Sequence, residues 1–201
     1  DMLEEAVQII RALHTGELTT WDGDWFRVDS ARIWDAPDGG VPIGIAVGGE
    51  HAVERFAPLG DHLIATDPLP ELLQGWDAAK GGTASRKIGQ IPVCWAPSKE
   101  QAIDLAHEQF RWFGGGWGVN ADLPTPKGFH DASQFVRKED VADSIACGPD
   151  LDELVEGVRP LWEAGFTDVA VVQVGDALQQ RFLDEVAGPL LERLRAAAPQ
   201  G

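Results

Sequence analysis

Few residues in this sequence could carry chemistry by type and spacing, and the first group is Val47-Gly48-Gly49-Glu50-His51. An apolar run from Val41 to Val47 ends there in two glycines, and helical apolar spacing resumes at His51. A strand that runs straight into a helix leaves backbone N–H groups without partners, and glycines let a phosphate come close to them. The helix dipole adds roughly 0.3 to 1 kcal/mol in favour of an anion. Gly48 and Gly49 are therefore the expected ligand contacts, flanked by Val47, Glu50 and His51; the alternative is a plain tight turn between strand and helix. His51 either donates to a ligand phosphate or simply stands exposed near a helix start. Thr66-Asp67-Pro68 closes the next apolar run, so Thr66 either offers its hydroxyl to a substrate or cofactor, or caps the helix that opens near Pro68. Asp61 stands at the other end of that run, where it caps or ends the preceding turn.

Elsewhere the residue types exclude more than they assign. The GGGWG run at 114–118 lacks the Lys-Ser/Thr pair of a phosphate-binding P-loop and reads as a flexible lid. Trp112, Phe113 and Trp117 around it either stack on a ring or pack into the core, and Lys127, Arg137 and Lys138 either meet an anionic ligand or stand as ordinary solvated surface cations. No Ser-His-Asp arrangement, HExxH motif or close carboxylate pair stands out, so the sequence contains no self-evident catalytic centre. Cys94 and Cys147 are separated by 52 residues with no CxxC and no nearby His pair. Neither a disulfide scaffold nor a metal site is expected from them, and they read as two buried thiols.

The elements that must position these groups alternate. LEEAVQIIRALHTG, residues 3–16, is an amphipathic helix with Glu4 and Glu5 in its first turn. Residues 18–34 switch to a period of two around Asp22-Gly23 and predict a hairpin insertion. Strands are then expected at 41–47, 61–66, 88–96 and 167–174, with helices at 51–59, 69–79, 99–113, 151–164 and 177–197. Four parallel strands with their crossovers result. Residues 114–137 lose all periodicity and predict a lid-like insertion. The first predicted element is a helix with no strand before it, and a complete eight-stranded barrel takes roughly 250 residues. The expected fold is thus α/β, the C-terminal part of a (β/α)8 TIM barrel, with residues 1–201 as a single domain that starts mid-fold.

A chain of 201 residues with 44% hydrophobic and 24% charged content has the balance of a soluble globular domain. The net charge of -17 opposes nucleic acid and anionic membranes as partners, while leaving room for a small anionic ligand held by local backbone groups. No stretch is apolar enough to span a bilayer and the first 20 residues do not resemble a secretory signal, so a cytoplasmic location is expected. Uncovered sheet edges in half a barrel lead us to expect a homodimer, or association with an N-terminal half.

Three consecutive segments carry a resemblance. EAVQIIRALHTGE, TWDGDWFRVDSARIWDAPDGGVPIGIAVGG and APLGDHLIATDP follow one another in the register and spacing of luciferase-like oxidoreductases. GPDLDELVEGVRPLWEAGFTDVAVVQVG with QRFLDEV resembles that family's last helix-strand-helix. The likeness is greatest to the branch of F420-dependent glucose-6-phosphate dehydrogenases. It implies coenzyme F420, or alternatively FMN, with Gly48 and Gly49 at the cofactor phosphate and Thr66 facing the substrate cleft. It also implies that the catalytic His and Trp come from the first half of the barrel, before Asp1. Where the resemblance would place phosphate-binding cations, this chain has Leu69 and, less directly aligned, Asn120 and Asp143 or Ser144. Without charge-assisted bonds a phosphate dianion is poorly held. The implied reaction is hydride transfer between the deazaflavin and a small alcohol, aldehyde or ketone rather than glucose 6-phosphate. An FMN-dependent monooxygenase and a non-catalytic flavin- or deazaflavin-binding protein are the alternatives.

Overall fold

The computed structural model describes residues 1–199, the Trp117 side chain excepted. Its contacts gather into two compact units: Asp1–Gly89 with Gly165–Asp168, and the remaining residues.

The first unit opens with helix α1 (Met2–Leu13), which buries Val7 and Ile9 and carries acids in its first turn and Arg11 in its last, complementing the helix dipole. Strands β1 (Thr19–Asp22) and β2 (Arg27–Ala31) form the expected antiparallel hairpin, with Trp21 opposite Val28 and Asp22 opposite Arg27. Its connection is longer than a two-residue Asp-Gly turn, because the Glu5 carboxylate on α1 accepts the N–H groups of Trp25 (3.1 Å) and Phe26 (2.9 Å) and holds both out of the ladder.

Strand β3 (Gly44–Ala46), helix α2 (Glu50–Phe56), strand β4 (His62–Ala65), helix α3 (Pro70–Lys80) and the start of β5 (Lys87–Cys94) follow as parallel strand-helix repeats. β3 is shorter than the predicted 41–47 strand. Pro42 has no N–H to give to a ladder, and the Ile43 N–H donates instead to Asp61 Oδ2 at 2.6 Å. That carboxylate also takes the Arg11 guanidinium at 2.6 Å, so Asp61 joins α1 to the lower ends of β3 and β4. Burial alone would raise the Asp61 carboxyl, but the Ile43 and Arg11 bonds outweigh it and hold it below its ordinary range. Between sheet and helices lie Ile45, Leu63, Val53, Leu72, Leu73 and the fully buried Trp76. The Trp76 indole N–H is satisfied by Ser85 Oγ at 2.9 Å, and that hydroxyl donates to the Asp61 carbonyl.

In the second unit, residues 90–94 of β5 run beside β6 (Ala146–Cys147), in parallel register with Val93 opposite Ala146 and Cys94 opposite Cys147. β7 (Asp168–Gln173) also pairs with β5, and the sheet has five strands rather than four. The extra one is β6, too short for its alternation to show. Between β5 and β6 stand α4 (Lys99–Phe110), a 3-10 turn at Arg111–Gly115, α5 (Trp117–Asn120), α6 (Pro126–Ala132) and α7 (Lys138–Ser144). Residues 114–137, expected to be irregular, thus contain two short helices. Thr125-Pro126 starts one of them in the ordinary way, Thr125 Oγ1 accepting the Gly128 N–H and Pro126 occupying the first turn. Helix α8 (Leu151–Ala164) buries Leu154, Val155, Val158 and Leu161. The single helix expected at 177–197 divides into α9 (Gln179–Glu185) and α10 (Ala187–Ala197). Pro189 has no N–H for the Glu185 carbonyl and its ring crowds that position, which breaks the run at Val186. Among the described residues no helix is long and apolar enough to cross a membrane, and no cluster of His, Cys, Asp and Glu could hold a metal ion.

Candidate functional site

The predicted ligand residues of the first unit gather at the C-terminal ends of β3 and β4. Ala46 is level with Ile64, and the ladder runs one residue further through the Val47 N–H to the Ile64 carbonyl at 3.0 Å. Gly48 and Thr66 each follow by two residues, so they leave the sheet side by side. Val47 turns into the core at 5% exposure, whereas Gly48 and Thr66 are exposed.

A tight turn does not explain the glycines. Gly49 has an extended backbone, φ -173 and ψ 167, which any residue adopts, and neither glycine has the positive φ that demands one. A Cβ added at Gly49 would meet nothing within 4 Å. Gly49 is the N-cap of α2 and supplies no side-chain bond to it; its carbonyl accepts from Ala52 and Val53, leaving the first N–H groups of the helix outside the ladder. Glu50 is exposed in that first turn, and His51 is fully exposed with only Glu54 near it, at 3.9 Å.

Thr66 is not a cap. Helix α3 starts at Pro70 with Leu69 as its N-cap, four residues too late for the Thr66 hydroxyl. No cation stands ready beside it. Every Lys and Arg of this unit has a partner: Arg11 with Asp61, Arg27 with Asp22, Arg55 with Asp1 and Glu4, Arg86 with Asp168, Lys87 with Asp77, Lys80 with backbone carbonyls, and Arg32 over the Trp34 ring.

In the second unit the ends of β5, β6 and β7 lie under α4. Cys94, Cys147 and Val174 pack with Ala102 and Ala106 of α4 and with Val141 and Ile145 at α7. The Gln173 amide, 9% exposed, accepts from the Trp95 N–H (2.9 Å) and donates to the carbonyls of Trp95 (3.0 Å) and Val174 (2.8 Å). Gln109 on α4 joins the Gly175 N–H to the Asp176 carboxylate. Neither glutamine was singled out by the sequence, although a lone amide interrupting the apolar run Val169 to Val174 is a usable signal. Trp112 packs on Phe110 and Phe129, and Phe113 joins the cluster beneath α4, which favours packing over ring stacking for both. The Trp117 side chain lies outside the described residues. Asn120 is buried and donates to the Trp112 carbonyl, Ser144 donates to the Asp140 carbonyl within α7, and Asp143 is exposed.

Comparison with known proteins agrees with this architecture. The F420-dependent glucose-6-phosphate dehydrogenase of Nocardia farcinica is 31% identical over 98% of this chain, and that of Mycobacterium tuberculosis strain H37Rv 28% over 96%. The chain spans about 61% and 60% of their lengths. Among solved structures, an F420-dependent secondary alcohol dehydrogenase in complex with an F420-acetone adduct superposes with a TM-score of 0.77 at 19% identity, over 95% of this chain and 60% of that one. At that identity the likeness establishes the fold, the C-terminal part of a (β/α)8 barrel. The profile of the luciferase-like monooxygenase family matches residues 1–168, and the chain belongs to that family.

Proposed function

We propose that this chain carries the cofactor-phosphate site and part of the substrate surface of an F420-dependent oxidoreductase. The observation that carries the reading is the pair of adjacent strand ends at Gly48 and Thr66, which are exposed, and the open space at Gly49, where an added Cβ would meet no atom of the described residues within 4 Å. The names of the relatives support coenzyme F420. The residues fit such a group: Gly48 and Gly49 let its phosphate reach the backbone at the start of α2, and Val47 fixes the strand end by its burial. A bound deazaflavin supplies the hydride-exchanging ring. Thr66 offers a hydroxyl that orients a substrate oxygen.

The substrate in this reading is a small alcohol, aldehyde or ketone. With the Lys and Arg side chains of the first unit engaged elsewhere and Leu69 close after Thr66, a phosphate dianion finds no charge-assisted donor there, which disfavours glucose 6-phosphate. Because the chain spans about 61% of its relatives' length, turnover is proposed for a protein that contains the rest of the barrel.

A fluorescence titration of the chain with F420 and with FMN, beside a Gly48→Asp variant, tests the cofactor. Saturable F420 binding that the variant abolishes is expected. Binding of FMN alone would move the protein to flavin chemistry, and binding of neither would overturn the assignment of a cofactor site to this chain. With a protein of full family length, F420 reduction by a short secondary alcohol but not by glucose 6-phosphate is expected. Tight F420 binding with no turnover of any such alcohol, aldehyde or ketone would leave a binding protein instead.

A further inference from the structure

The two cysteines of the chain, far apart in sequence, are opposite each other in the parallel β5–β6 register. Directly opposed residues of adjacent strands lie about 5 Å apart at Cα, inside the roughly 4.4 to 6.8 Å window over which disulfides close. Both thiols are buried in the same cluster, and Cys94 Sγ lies 3.3 Å from the Val174 carbonyl. Around them stand the small side chains of Ala96, Ala102 and Ala106. Gly148, which follows Cys147, and Gly175, whose added Cβ would lie 3.8 Å from Cys94 Sγ, have φ of +138 and +98. Both sulfurs therefore have glycine backbone beside them that can absorb a small adjustment.

Position gives the pair a consequence. Cys94 is the last residue of β5 and Cys147 the last of β6, and the whole helical insertion from α4 to α7 lies between them. We propose that Cys94 and Cys147 form an oxidisable dithiol whose cross-strand disulfide closes the base of this insertion. A peroxide or a glutathione-type disulfide is the oxidant. With hydrogen peroxide, the Cys147 thiolate attacks one oxygen and hydroxide leaves, giving a sulfenic acid; Cys94 sulfur then attacks Cys147 sulfur, and water departs as Cys94 loses its proton. Two thiols and one peroxide thus give one disulfide and two waters. The order of attack follows from the surroundings. The neighbouring Cys147 and burial push the Cys94 thiol up, while the Cys94 side chain and the Lys99 ammonium favour the Cys147 thiolate against its own burial.

The test is equilibration of the folded chain in glutathione buffers of graded redox ratio, approached from the oxidised and from the reduced side. Acid quenching, thiol alkylation and intact-mass analysis follow. The expected product is a monomer lacking two hydrogens, with peptide mapping joining the Cys94 and Cys147 peptides. Limited proteolysis between Gly114 and Arg137 should then give fragments that separate only after reduction. Cys94→Ala and Cys147→Ala should each abolish the crosslink, and circular dichroism establishes whether they fold. Two free thiols across the whole range from both directions would overturn the proposal. So would glutathione adducts or chain-to-chain disulfides without the internal bond.

Discussion

The strand ends of the first unit and those of the second are built from the same parallel repeats and treat their polar groups in opposite ways. At β3 and β4 the exits are Gly48 and Thr66, exposed and without side-chain partners that hold them in place. At β5 and β7 the exits are Trp95 and Val174, buried, with their backbone groups taken by Gln173, while Gln109 on α4 takes the next residue, Gly175. In the proposed reading, the strand ends that bind are those where the chain leaves its own donors free. Where it supplies internal partners, the same topology becomes core.

The sharpest way to break this contrast is Gln173→Leu. The backbone N–H and carbonyl of Trp95 would lose their partners, at roughly 1 to 3 kcal/mol for each buried group left unpaired, read as a lower urea midpoint. F420 binding at the open ends should change little once folding is corrected for. The converse is Gly49→Val. Its extended backbone and empty surroundings predict a loss of stability no larger than that of a poorer helix N-cap, about 1 kcal/mol or less, whereas F420 affinity should fall at least about tenfold, near 1.4 kcal/mol, in the same fluorescence titration. Unchanged affinity would remove Gly49 from the site.

Between these lies the acid response of the first unit. Asp61 has its carboxyl below the ordinary 3.8, so it contributes stability that is fully present above that value and is lost as pH falls through the lower folded value. Urea unfolding from pH 7 down to pH near 3 should show the wild type's advantage over Asp61→Asn shrinking with acid. An advantage constant with pH would mean that it does not come from the charge of the carboxylate. The smallest expected effect is at Glu50, whose charge in the first turn of α2 would oppose an anionic cofactor at the proposed site. Glu50→Gln should tighten F420 binding two- to fivefold, corresponding to about 0.4 to 1 kcal/mol.

The parallel repeats were legible because their periodicity is long and uninterrupted: α1, α3 and α8 lie close to where apolar spacing puts them. The pairing of Gly48 with Thr66 at neighbouring strand ends follows from the same order of elements. Legibility failed where tertiary partners replace local rules. The Asp61 side chain diverts the Ile43 N–H and shortens β3, and the Glu5 carboxylate lengthens the hairpin connection, in both cases across many residues of sequence. β6 has two residues and no period to read. Gln173 and the opposed cysteines depend on β5 gathering β6 and β7 around it, information that no window along the chain contains.

The hairpin connection has a consequence for inheritance. A Cβ at Gly23 would fall on the Glu5 carboxylate, which already serves two backbone donors of the same loop. A side chain at 23 would expel Glu5, and a shorter acid at 5 would leave those donors without their acceptor. Residues 5 and 23 are therefore one unit of variation: relatives that keep this connection should retain both or change both, and a transplanted hairpin should need Glu5 carried with it.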